Sequence, residues 1–212
     1  MDFRTYLFDF DGTLVDSMPT FVSVMLRILD ENHITYSDDI VKTITPLGYA
    51  GTAQHFIDLG IHKTQEELVA QMQRYALDEY THRIPTKKNV VSVLKQLKDR
   101  GCSLNVLTAS PHTMLDPCLK RLGIYDLFEN VWSCDDFQTT KSNPEIYRMA
   151  AERIGVRVEE IVFLDDNYNA DCAAKASGVA VCGVFDPSSA EYEEDIREIA
   201  DVYIYDFSEL LK

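Results

Sequence analysis

The chain has 212 residues, 46% of them hydrophobic, enough to bury a core for one domain with a large insertion or for two small domains. Lys and Arg number 20 against 35 Asp and Glu, and the resulting charge of −15 makes nucleic acid and acidic membranes poor partners. No apolar run approaches the ~20 residues that span a bilayer. Asp2 and Arg4 lead straight into a strand pattern with no signal peptide, so a soluble, cytoplasmic protein is expected.

The same charge repels a small anionic substrate at long range, so a metal ion or local Lys and Arg must reverse the potential within any anion pocket. The five cysteines (Cys102, Cys118, Cys134, Cys172 and Cys182) are odd in number and widely spaced, without a CxxC pair. Free, buried or half-buried thiols are expected rather than a disulfide framework or zinc site. The five histidines (33, 55, 62, 82 and 112) have no metal-ligand spacing and read as surface or packing residues.

The first element is a buried strand over residues 5–9, TYLFD. Ser17 then stands as an N-cap candidate before Met18-Pro19 and an apolar-periodic helix running to about Glu31. Further helical pieces follow near 37–45, 50–59 and 64–82, the last with a Thr64-x-x-Glu67 capping box and an apolar face of Leu68, Met72, Tyr75, Ala76 and Tyr80. Residues 17–83 therefore read as all-helical.

After Arg83-Ile84-Pro85 the pattern alternates helix and strand. Helices are predicted near 87–100, 112–122, 144–154, 169–177 and 189–200; strands lie at 103–109, 130–134, 161–165, 179–185 and 202–205. Continuous apolar strands between helices mean a parallel sheet covered on both faces, and right-handed crossovers put every strand's carboxyl end on one edge. The expected fold is α/β, a doubly wound parallel sheet built from residues 1–16 and 84–212, with an all-helical domain inserted at 17–83.

Ligands of such sheets bind beyond the carboxyl ends of the strands. The first strand ends in Asp9-Phe10-Asp11, the second in Thr108-Ala109-Ser110 and the fourth in Asp165-Asp166; Lys141 stands after the third. Asp11-Gly12 between hydrophobic runs is also a hairpin signal, and Asp165-Asp166 can be a strand exit with helix capping from Asn167 or Asn169. Convergence of four segments on one edge favours chemistry. A carboxylate at Asp9 can attack phosphorus and form a covalent aspartyl phosphate. If the chain stays extended, Asp11 shares its side and can protonate the leaving oxygen, then take a proton from water. The Thr108 hydroxyl and the backbone N–H groups after it suit transferring oxygens, while Lys141 offsets the charge of Asp9 and the phosphoryl group. Clustered carboxylates without His or Cys select a hard divalent ion, here Mg²⁺.

Four ordered stretches, "FDFDGTLVDS", "NVLTAS", "KSNPEIYRMAAERIG" and "IVFLDDNYNADCAAKASGV", resemble the motifs of the haloacid dehalogenase-like superfamily, within it the phosphoglycolate phosphatase-like branch. The resemblance covers nearly all of the α/β part and implies a Rossmann-like core, a mobile helical cap and a tight turn after the nucleophile. Carried over by position, it implies Asp9 as nucleophile and Asp11 as acid and base. Thr108 and Ala109 would bind phosphate with Lys141, and Asp9, Asp11 and Asp166 would bind Mg²⁺, with Asp165 as second choice for Asp166. Departures are Ser142-Asn143 where the family has Pro after its Lys, Asp165 where Gly commonly stands, and Asp171 one place later than the family's next acid, with Ala170 at the common position.

Met18, Phe21, Met25, Tyr49, His55, Met72 and Tyr75 read first as helical core. The Gly/Pro break "TPLGYAG" (45–51) faces the active site in the resembled branch, so Gly48 and Tyr49 are substrate-contact candidates. The expected function is a Mg²⁺-dependent phosphatase of a small phosphorylated metabolite, phosphoglycolate-like or a sugar phosphate, acting as a monomer or weak homodimer. A sugar-phosphate mutase of the same superfamily is the alternative, disfavoured because no Arg occurs from Ile28 to Gln73. A haloacid dehalogenase has no need of Asp11 as an acid, and a non-catalytic metabolite-binding module has no need of the full residue set.

Overall fold

The computed structural model describes residues 3–37, 39–44 and 47–212. The chain divides into two compact units, one containing the residues up to Asp16 together with Pro85–Lys212, the other Ser17–Ile84. Ile84 therefore groups with the helical insertion.

In the larger unit, strands β1 (Thr5–Phe8), β2 (Ser103–Thr108), β3 (Asn130–Ser133), β4 (Ile161–Asp165), β5 (Ala180–Val184) and β6 (Val202–Ile204) form one sheet in the order β3-β2-β1-β4-β5-β6. Every pairing is parallel. All residues of β1 and β4 are buried, as apolar strands packed on both faces must be. Around the sheet lie α5 (Val90–Asp99), α6 (His112–Arg121), α7 (Glu145–Ile154), α8 (Tyr168–Ser177) and α9 (Glu193–Ile199). On one face Leu7, Phe163 and Val181 pack with Ile146, Tyr147 and Ala174. The Tyr147 and Phe163 rings meet edge to face at 4.9 Å. Fully burying side chains of this size contributes roughly 1.5–3 kcal/mol each.

Register sets the site. Phe8 pairs with both Val106 and Leu164, so the next residues, Asp9 and Asp165, stand at one level at the carboxyl edge, Asp165 still paired with Gly183. The Asp9 N–H still donates to Leu164 O at 2.9 Å.

Two segments depart from the periodic pattern. The helix expected from residue 87 starts at Val90, because Asn89 takes a left-handed conformation (φ 65°) and holds 87–89 outside it. The helix expected over 189–200 opens as a 3₁₀ stretch, Pro187–Tyr192, before α9. There the Asp186 carboxylate accepts the Ser188 N–H at 2.9 Å and Pro187 begins the turn.

The smaller unit contains α1 (Met18–Glu31), α2 (Ile40–Ile44), α3 (Gly48–Asp58) and α4 (Gln65–His82), with no strand among its described residues. Met25, Ile28, Leu29, Phe56, Leu68 and Met72 form its core. The capping box of α4 is complete: Glu67 N–H donates to Thr64 Oγ1 at 3.2 Å and Thr64 N–H to Glu67 Oε2 at 2.8 Å. Ser17 occupies the N-cap of α1 but makes no side-chain capping bond. Of the break at 45–51, Thr45 and Pro46 lie outside the described residues, as does Asp38 of the preceding helical segment.

All five cysteines are free, four of them buried and Cys172 half-buried. No helix among the described residues is long and apolar enough to cross a membrane.

Candidate active site

At the carboxyl edge of the sheet, Asp9 is 4% exposed and Asp165 fully buried. Lys141 reaches between them from the loop before α7, its Nζ 2.6 Å from Asp9 Oδ1 and 2.6 Å from Asp165 Oδ2. One buried ammonium thus pairs with both acids. Tyr147 fixes the base of Lys141: its hydroxyl hydrogen is shared between Lys141 O (2.9 Å) and Ala170 O (3.0 Å).

The neighbouring acids Asp165 and Asp166 have different surroundings. Asp165 accepts Lys141 on Oδ2 and the Asn167 N–H on Oδ1 at 2.8 Å, so protein donors occupy both oxygens. Asn167 in turn caps α8, accepting from Asn169 and Ala170 N–H. Asp166 Oδ1 accepts the Thr13 hydroxyl at 3.1 Å. Gly12, at φ +73°, lies against Asp166: a Cβ there would stand 2.5 Å from Oδ2 and 2.6 Å from Oδ1. Only a residue without a side chain permits that approach.

Asp9, Asp165 and Asp166 each offer an oxygen, and these oxygens lie within 4.8 Å of one another. The Asp11 carboxylate is outside this group. It still lies near enough for its charge to add to those that raise the Asp9 carboxyl. Asp11 Oδ2 instead accepts the Ser110 hydroxyl at 2.5 Å. Thr108, 1% exposed, accepts the Ser110 N–H on Oγ1 at 3.1 Å, leaving its own O–H to donate; Ala109 beside it is exposed.

The acidic group fits a divalent cation. With all three acids ionised, the single positive charge of Lys141 would leave two negative charges uncompensated. Carboxylates at such separations repel by roughly 3–4 kcal/mol per pair at an effective dielectric constant of about 20. Burial first, then the Asp165 charge, pushes Asp9 up to about 7 against the pull of Lys141. Burial and the same neighbouring acids hold Asp166 well above the carboxylate range. Burial draws the Lys141 ammonium down, yet Asp165 and Asp9 together outweigh it and hold Lys141 well above its usual value. A hard dication held by this group would remove the repulsion, and its oxygen ligands suit Mg²⁺.

Gly48 and Tyr49 belong to the helical unit, where Gly48 starts α3 and the Tyr49 ring packs on Phe21 at 5.6 Å.

Several polar residues of the edge were given no role by the sequence. Thr13 and Ser110 are legible only as neighbours of Asp11 and Thr108. His112, read as surface or packing, bridges two carboxylates, its Nδ1 2.9 Å from Asp116 and its Nε2 2.8 Å from Asp136. These bonds, Asp116 first, hold the imidazole protonated above its usual range. Asp171 is fully buried, and neither carboxylate oxygen has a hydrogen-bond partner.

A family model described as haloacid dehalogenase-like hydrolase matches residues 3–178. Phosphoglycolate phosphatase of Colwellia psychrerythraea is 29% identical over 215 residues, covering 97% of this chain and 94% of that protein. Pyrophosphatase PpaX of Bacillus velezensis is 27% identical over 179 residues, covering 84% of this chain and 81% of its own. A provisionally assigned β-phosphoglucomutase from Thermotoga maritima shares the fold, with a TM-score of 0.85 at 22% identity over 98% of this chain and 96% of that one. The family match takes in the sheet from β1 to β4 with all four motifs, so the chain belongs to the haloacid dehalogenase-like hydrolases, as its motifs imply.

Proposed function

We propose that this hydrolase is a Mg²⁺-dependent phosphatase of a small phosphorylated metabolite, working through an aspartyl phosphate on Asp9. The observation that carries the reading is the position of Lys141, 2.6 Å from Asp9 within a buried group of three acids. An ammonium there favours the ionised, nucleophilic form of Asp9 against burial and Asp165, and is placed to meet the phosphoryl charge.

Asp9 attacks phosphorus while the bond to the leaving oxygen breaks and Asp11 gives that oxygen its proton. Asp11, now a carboxylate, takes a proton from the water that attacks the aspartyl phosphate, which releases phosphate and frees Asp9. Thr108 donates its hydroxyl to the transferring oxygens, together with backbone N–H groups at Ala109 and Ser110. Mg²⁺ on Asp9 and Asp166 supplies the charge neutralisation that lets an anionic ester approach the acids. Asp165 serves Lys141 rather than the metal, because both of its oxygens already accept protein donors.

The phosphatase and pyrophosphatase among the relatives support phosphate esters or anhydrides as the substrate class. The mutase alternative has only likeness of fold behind it. Substrate preference is assigned to the helical insertion, with Gly48 and Tyr49 as the residues to vary first.

The test is phosphate release from p-nitrophenyl phosphate with Mg²⁺, with chelator, and with Mg²⁺ restored. Release that needs Mg²⁺ is expected. Undiminished release in chelator contradicts the metal, and binding of phosphate esters without turnover contradicts the enzyme.

A further inference from the structure

Lys87 is a largely buried cation that no catalytic motif contains. Its ammonium donates to Gly12 O at 2.7 Å, Phe185 O at 2.5 Å and Asp186 Oδ2 at 3.1 Å. Its side chain is 17% exposed and that of Asp186 3%. An ammonium has three N–H donors, and here each has an acceptor.

These contacts join the turn that carries Asp11 to the end of β5. The turn closes on itself: Gly12 N–H donates to Val15 O at 3.0 Å, and Val15 N–H to Phe10 O at 3.0 Å. Residues 85–87 lie along its outgoing side, where Asp16 N–H donates to Pro85 O and Lys87 N–H to Leu14 O, each at 3.0 Å. From that backbone the Lys87 side chain reaches the Gly12 carbonyl, one residue past Asp11. The left-handed Asn89 makes this possible by keeping Lys87 out of α5.

We propose that Lys87 is a positioning residue for the acid–base step: by anchoring the Gly12 carbonyl to the end of β5 it fixes the turn that aims Asp11. The proposal rests on Asp11 being the acid and base of the proposed function. The competing role is purely structural, with Lys87 only balancing the buried Asp186 carboxylate.

The two roles differ in leaving-group dependence. p-Nitrophenolate departs without a proton, whereas an alkoxide must receive one. kcat/KM covers the steps through formation of the aspartyl phosphate, so it reads the acid directly. The experiment measures kcat/KM on p-nitrophenyl phosphate and on glycerol phosphate, with thermal midpoints, for Lys87→Gln and Lys87→Met/Asp186→Asn. The double variant removes both charges and leaves no orphaned carboxylate; Lys87→Gln keeps two N–H donors. Asp11→Asn is the reference.

The double variant is expected to stay folded, to lose under about threefold on the aryl ester and roughly 10–100-fold on the alkyl ester. Lys87→Gln falls between it and wild type. Equal losses on both esters, or none, while Asp11→Asn keeps its selective loss, overturn the positioning role alone. If Asp11→Asn itself shows no selective loss, the acid–base reading fails, and the role of Lys87 fails with it.

Discussion

The Thr13 hydroxyl donates to Asp166 Oδ1 across 3.1 Å, linking the turn after β1 to the end of β4. Asp166 thus gains a fixed orientation while Asp165, its neighbour, is held by Lys141 and the Asn167 N–H. Hydrogen bonds behind a metal ligand set its aim, and losing one typically costs 10–100-fold in metal affinity or activity. Thr13→Val keeps the shape and removes the donor. A Mg²⁺ titration of phosphate release should show half-saturation raised about tenfold, with turnover at saturating Mg²⁺ within about threefold. Thr13→Ser should restore the wild-type curve.

Gly12→Ala strikes the same carboxylate from the other side. At φ +73° an L side chain is strained, and its Cβ would sit 2.5–2.7 Å from the Asp166 carboxylate. The left-handed conformation alone costs roughly 1–2 kcal/mol. Asp166 must then move away from Thr13. Thermal denaturation should show a lowered midpoint, and the phosphate assay a loss of turnover that added Mg²⁺ only partly recovers.

Asp171 provides a pH signature separate from catalysis. Burial first, and the Asp165 charge second, push its carboxyl from 3.8 to about 10, with Lys141 pulling the other way. A carboxyl raised in the folded state costs nothing while it is protonated in both states, below about pH 4. The cost then grows as pH rises toward the folded value near 10. Asp171→Asn cannot ionise. The stability difference between variant and wild type, from urea denaturation at successive pH values, should therefore move in favour of the variant from pH 5 to pH 9. A difference that does not change with pH would contradict the buried, protonated acid.

Much of this was legible in the sequence because it is periodic or local. The apolar runs of β1 and β4, the Thr64 capping box and the acids ending two strands each announce themselves within a few residues. Long-range contacts do not: Thr13 meets Asp166 across 153 positions and Lys87 meets Asp186 across 99. The helix expected from residue 87 begins three residues later, because Lys87-Lys88-Asn89 carries no stop signal and only the left-handed backbone at Asn89 excludes it. Asp165 and Asp166 could not be told apart by composition; the donors on Asp165, Lys141 and Asn167 N–H, differ from the one on Asp166, Thr13.

The central claim is that Asp9 carries the phosphoryl group. It is tested by acid-quenching the enzyme during turnover of p-nitrophenyl phosphate with Mg²⁺, reducing acyl phosphates with borohydride, and mapping the reduced residue by mass spectrometry. Reduction of an aspartyl phosphate gives homoserine, and it is expected at position 9 alone, with no product from Asp9→Asn and no turnover by that variant. An Asp9→Asn enzyme that folds and releases phosphate at the wild-type rate would contradict the account.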